Sequence, residues 1–99
     1  MSKQTVRVVA RITARPDSVE SLKSILLGLI GPTRAEEGCI SYQLLQNNAD
    51  PTDFTFVEEW VSDTAIDAHF ATPHLQDALA NGIDLFGKEP DIRKYSSIG

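Results

Sequence analysis

An α+β fold in the order βαββαβ is predicted by three features of the sequence. The segment Thr5 to Arg15 alternates with the period of a strand, an apolar stripe at helical spacing follows it, and two further strand-like runs are joined by a loop dense in turn formers. Each element can be justified in turn. In the first strand Val6, Val8, Ala10, Ile12 and Ala14 point one way, and Arg7, Val9, Arg11, Thr13 and Arg15 the other. Pro16 ends it. Asp17 and Glu20 have the spacing of a capping box, after which Val19, Leu22, Ile25, Leu26 and Leu29 share one helical face. Gly31-Pro32 is expected to stop or kink that helix, because proline lacks a donor and clashes with the turn before it.

Gly38 closes the helical segment and a second strand is expected from Cys39 to Gln46, with Ile40, Tyr42 and Leu44 on one face. The segment Asn47 to Asp53 is the turn-rich loop, and Phe54 to Val61 is the third strand. Ser62 or Asp63 caps a short helix running to about Ala71, and Thr72-Pro73 restarts a helix whose stripe is Leu75, Leu79, Ile83 and Phe86. Gly87 ends that helix, and a weakly patterned strand from Asp91 to Ile98 completes the order. This is the split βαβ arrangement of ferredoxin-like folds, a four-stranded antiparallel sheet with both helical segments on one face.

Composition narrows the function. A chain of 99 residues with 41% hydrophobic and 23% charged residues reads as one globular domain spanning residues 1–99. A net charge of −5 without any Lys/Arg cluster argues against nucleic acid, whose phosphates demand concentrated positive charge. The lone Cys39 has no partner for an internal disulfide. The longest apolar run, Ile25 to Ile30, is too short for a membrane span, and the alternating start lacks a signal-peptide core, so a cytoplasmic location and no membrane partner are expected.

Two questions arise from the sheet faces. Val6, Val8, Ile12, Ile40, Tyr42, Leu44, Phe54, Phe56 and Trp60 suit the face under the helices, whereas Arg7, Val9, Arg11, Leu45, Val57, Glu59 and Val61 mix charge with branched apolar groups. A homodimer packed sheet to sheet, with Arg and Glu paired across the interface, accounts for that mixture; a monomer with a moderately apolar wet face is the alternative. The second question is Glu58, which period-two counting places among the apolar residues. It reads either as a strand-end carboxylate reaching water or as a buried, perturbed carboxyl.

His69 lies near the buried stripe of its helix, where it is either a satisfied structural residue or a proton acceptor beside Trp60. Trp60 and Tyr42 are core aromatics or pocket walls. His74 opens the next helix and reads as exposed and neutral, and His69 and His74 have no acidic or cysteine partner at ligand spacing, so no metal site is expected. No nucleotide-binding, nucleophile-elbow or zinc-protease motif occurs.

The stretches "VRVVARITARPD", "PTRAEEGCISYQLLQ" and "FTFVEEWVSDTAIDAHFATPHLQ" together resemble the antibiotic biosynthesis monooxygenase family, particularly its small quinol monooxygenase-like members. The most specific part is the acidic-Trp pair followed by Ala-His and Thr-Pro-His ahead of an apolar helix. The resemblance implies a ferredoxin-like protomer that dimerises into an α+β barrel, with a pocket between sheet and helices. It implies a monooxygenase of a small aromatic quinol or polyphenol, using molecular oxygen without metal, haem, flavin or other cofactor. On that reading His69, Trp60 and Glu58 are the expected catalytic residues, and Tyr42, Phe56, Phe70 and His74 the expected substrate contacts. Haem-degrading relatives carry an asparagine on the first strand where this chain has Ala10, which argues against haem. An isomerase or lyase acting by proton transfer in the same pocket and a non-catalytic dimeric binding protein are the alternatives.

Overall fold

Four strands form one antiparallel sheet in the order β2-β3-β1-β4, in a computed structural model that describes residues 4–99. The strands are β1 (Val6–Thr13), β2 (Cys39–Gln46), β3 (Asp53–Trp60) and β4 (Asp91–Tyr95). Helices α1 (Val19–Leu27), α2 (Ile30–Arg34), α3 (Asp63–Phe70) and α4 (Pro73–Gly82) complete the order, with a 3-10 turn at Ile83–Leu85. This is the ferredoxin-like arrangement that the alternation and helical spacing predict.

The strand register explains which side chains are covered. β3 pairs with β1 on one side (Val8 opposite Glu58, Ala10 opposite Phe56) and with β2 on the other (Tyr42 opposite Glu58). Side chains alternate across a pleated strand, so Phe54, Phe56, Glu58 and Trp60 all fall on the helix side and are buried, with Val8, Ala10, Ile12 and Tyr42 beside them. Leu22 and Leu26 from α1, Ile66 from α3 and Leu75 from α4 close the core from above. Each large side chain so buried contributes about 1.5–3 kcal/mol.

Several elements depart from expectation, each for a local reason. The helix breaks at Gly28 rather than at Gly31-Pro32, and Pro32 lies in the first turn of α2, where its missing N–H is no loss. Asp17 forms no capping box: Ser18 is the N-cap of α1 with no side-chain cap bond, and its hydroxyl instead donates to Asp17. Ile40 is the extra residue of a bulge, because Cys39 pairs with Trp60 while Ser41 pairs with Glu59, and it faces solvent. The tightening to a 3-10 turn after Gly82 rotates Ile83 outward, away from the stripe of Leu75 and Leu79. β4 stops at Tyr95 and is exposed along its length.

The uncovered face of the sheet carries Arg7, Val9, Arg11, Val57 and Glu59 as predicted, but its charges pair within the chain. Arg7 meets Glu59 at 3.6 Å and Arg11 meets Asp53 at 3.2 Å, between adjacent strands β1 and β3. The pairing expected across a second copy is therefore satisfied inside the protomer. No helix among the described residues is long and apolar enough to cross a membrane.

Candidate active site

The covered face of β3 delivers the first two groups. Glu58 is only 5% exposed, and its Oε1 accepts a 2.8 Å hydrogen bond from the Trp60 indole N–H two residues along the same face. Burial pushes the Glu58 carboxyl up to about 7; the indole hydrogen bond opposes that rise, and the nearby Glu36 charge adds to it. Across the pairing, Tyr42 stacks on Phe56 at 4.8 Å between ring centroids and meets His69 edge-on at 5.7 Å. Burial first, and then the Glu58 charge, raise the Tyr42 phenol above the ordinary tyrosine range, so it stays protonated.

His69 arrives from the last turn of α3. The Ser62 side chain caps that helix by accepting from the Ala65 N–H, fixing its start directly after β3. Thr72 fixes its end: the hydroxyl donates to the His69 carbonyl at 2.7 Å and accepts from the Leu75 N–H, joining α3 to α4. Pro73 in the first turn of α4 holds the junction, and His74 follows it. The His69 ring then lies against Trp60 with centroids 4.8 Å apart and planes tilted by 37°.

The group that sequence reasoning missed is Glu36. Its Oε2 accepts from His69 Nδ1 at 2.7 Å and from His74 Nε2 at 2.6 Å. The turn bearing it is set by Gly38, whose φ of +91° is left-handed and whose missing Cβ would come within 2.7 Å of the Ala65 Cβ. That contact is what lets the turn before β2 press against α3 and carry Glu36 to the histidines. Nothing local in the sequence marks it, since it lies 33 and 38 positions from its two partners. The Glu-Glu-Gly turn ahead of β2, together with two histidines bracketing Thr-Pro, was the available signal. His74 is thus half-buried and bonded to Glu36, a correction to its reading as an exposed residue, and it does not line the cavity described below.

These groups border a cavity of about 50 Å³ between sheet and helices, whose walls include Tyr42, Phe56, Glu58, His69 and Phe70. The rest of its lining is aliphatic or aromatic, with Leu79, Phe86 and Ile92 at the rim between α4 and β4. Trp60 is fully buried and does not line it. Instead of sharing the void with His69, the indole backs the two polar wall groups, bonding Glu58 and packing on the imidazole. With Glu36 accepting at Nδ1, that nitrogen carries the proton. In the neutral ring Nε2 then holds a lone pair, and it has no protein partner among the described residues. A carboxylate-oriented imidazole and a carboxyl poised near neutrality thus flank one apolar hollow, an arrangement suited to moving a proton on and off a small organic molecule.

Comparison with known proteins identifies the family and the fold. Residues 5–81 match the family model described as antibiotic biosynthesis monooxygenase. Rv0793 of Mycobacterium tuberculosis, which carries the name "Putative monooxygenase", is 42% identical over 69 residues, covering 70% of this chain and 67% of that protein. An uncharacterised protein of Synechocystis, sll1783, is 33% identical over 88 residues; the match covers 89% of this chain but spans 60% of the relative's length. Among solved structures, PA3566 of Pseudomonas aeruginosa superposes with a TM-score of 0.92 at 30% identity, covering 97% of this chain and 96% of that one.

Proposed function

The chain belongs to the antibiotic biosynthesis monooxygenase family, and from that premise we propose that it oxygenates a small aromatic quinol with molecular oxygen, without metal or flavin in the reaction. The observation that carries the reading is His69, held by Glu36 at Nδ1 and bordering an apolar cavity beside Glu58. His69 Nε2 takes the hydroxyl proton of the bound quinol, and the resulting electron-rich anion reduces oxygen. For a naphthoquinol, the quinol and one O2 give a hydroxynaphthoquinone and one water. One oxygen atom forms the new C–O bond, the other leaves as water, and the substrate supplies all four electrons. The neutral Glu58 carboxyl donates a hydrogen bond to the developing negative oxygen, and Tyr42 and Phe56 hold the ring.

A cavity of about 50 Å³ accommodates a few waters, at roughly 10–15 Å³ each, so a two-ring substrate enters only with outward movement of the half-buried Leu79 and Phe86 side chains at the rim. A second copy packed on the uncovered sheet face completes the proposed assembly, supported by the exposed Leu45, Val61 and Tyr95 on that side. Light scattering checks it, and a monomer at micromolar concentration removes it. The activity test is oxygen uptake with reduced naphthoquinone or a dihydroxyanthrone, comparing the native protein with His69→Ala. Uptake at the rate found without protein rejects the monooxygenase reading.

The pairing of a carboxyl near 7 with an oriented imidazole also favours a second reading, isomerisation or lysis by proton transfer next to a carbonyl. Turnover of a hydroxy-ketone or lactone without oxygen supports that alternative. Ligand retention with no turnover under either atmosphere supports a binding protein instead.

A further inference from the structure

The carboxylate of Glu36 has surroundings that the proposed reaction does not require. It is largely covered, with a side-chain exposure of 11%, yet no lysine or arginine pairs with it among the described residues. Among the described residues its side-chain partners are two imidazoles, His69 at 4% and His74 at 25% side-chain exposure, and both aim a ring nitrogen at the same oxygen, Oε2. A buried carboxylate needs compensating positive charge, and two histidines facing one carboxylate are the donor set that holds a borderline divalent ion.

We propose that Glu36, His69 and His74 bind a divalent transition-metal ion of the Zn²⁺ or Co²⁺ class. The three donor atoms come from three elements, the turn before β2, the end of α3 and the start of α4, and all lie within 4.8 Å of one another. Around an ion with bonds of about 2.0–2.1 Å, tetrahedral donors stand roughly 3.4 Å apart, so the ion replaces the two N–H protons between the imidazoles and Glu36 with modest rearrangement. The Thr72-Pro73 junction and the Gly38 turn fix the three donors in advance, so little ordering cost remains on binding.

One consequence rests on the proposed function. An ion at His69 Nδ1 moves the ring proton to Nε2, the nitrogen used as base, so the ion-bound protein cannot accept the substrate proton there. Metal and turnover are then mutually exclusive.

The test uses the purified full chain titrated calorimetrically with Zn²⁺ alone, and with Co²⁺ alone followed by visible ligand-field absorption. One ion per chain is expected, with affinity reduced at least about 10-fold in Glu36→Gln and in His74→Ala. Circular dichroism establishes that both variants are folded. Labelled-histidine NMR should show the His69 proton on Nδ1 without metal and on Nε2 with Zn²⁺. Absence of saturable binding, or binding of equal strength in both folded variants, overturns the site. A bound ion that leaves quinol oxygenation unchanged upholds the metal site and removes His69 Nε2 as the base, so the two proposals fail separately.

Discussion

Glu58 and Glu59 are neighbours in β3, identical in chemistry and opposite in surroundings. Glu58 faces the helices, touches one neutral donor, and is pushed to about 7 by burial. Glu59 faces the uncovered side, where Arg7 lies at 3.6 Å and the Thr5 hydroxyl donates at 2.6 Å. The difference extends to the whole sheet. On the uncovered face charges are matched by charges on the adjacent strand or, for Arg93 and Asp91, on the same one, a pairing that tolerates exchange and contributes little. On the covered face the polar groups are few and each is held by a specific neighbour: Glu58 by the indole, His69 by Glu36, and Tyr42 by its aromatic contacts. A one-residue step along a strand therefore separates a carboxylate that organises a surface from a carboxyl that can take part in chemistry.

The largest expected effect breaks this contrast outright. His69→Ala should lower quinol oxygenation by about 10²–10⁴-fold, the usual contribution of a positioned general base, while Glu59→Gln on the other face leaves it unchanged. Oxygen-electrode rates for both variants decide the matter, and equal losses would show that the covered face has no special role. The next effect concerns pH. The Glu58 carboxyl lies at about 7 in the folded chain against 4.5 for an ordinary carboxyl, so folding favours its neutral form. Its stabilising contribution is fully present below about 4.5 and is lost as pH rises through about 7. The shift corresponds to on the order of 3 kcal/mol at 1.36 kcal/mol per pH unit. Urea denaturation should therefore show the native chain losing stability between pH 5 and 8 while Glu58→Gln loses far less. The same titration removes the hydrogen-bond donor from the cavity, so turnover should decline above pH 7, with a flatter decline in Glu58→Gln.

A smaller effect tests how the two faces are tied together. Gly38→Ala places a side chain at φ +91° and a Cβ within 2.7 Å of Ala65, which should cost about 1–3 kcal/mol and draw the turn carrying Glu36 away from α3. Denaturation measures the cost, and the His69 Nδ1–H resonance reports whether the bond to Glu36 is lost. If stability falls while that bond persists, the glycine serves packing alone.

How much of this was legible in the sequence follows from what kind of regularity each feature has. Strand alternation placed Tyr42, Phe56, Glu58 and Trp60 on one face because the pleat repeats every two residues, and the apolar stripe set His69 near the core. Ile40 and Ile83 escaped because a bulge and a 3-10 turn each break the local period. Glu36 escaped for a deeper reason. It is brought to His69 and His74 by a tertiary contact at Gly38 and Ala65, and no periodicity of any element encodes that approach. The indole was expected to look into the cavity, but alternation fixes only the face on which a side chain stands. Whether it lines or backs a void depends on the neighbours, and here Glu58 and His69 stand in front.

The smallest expected effect concerns the uncovered face itself. Arg7→Ala removes the partner of Glu59 from a site where the arginine is 48% exposed, and solvent screens what remains. The monomeric fold should lose no more than about 0.2–1 kcal/mol, and the loss should shrink in high salt. If this face instead packs on a second copy, Arg7 is withdrawn from water in the assembly, and its removal strands Glu59 in a desolvated interface. The dimer would then weaken by more than the fold does. Measuring unfolding at two protein concentrations separates the cases. A concentration-independent change of a few tenths of a kcal/mol marks a solvated surface, whereas a larger change that grows on dilution marks an interface.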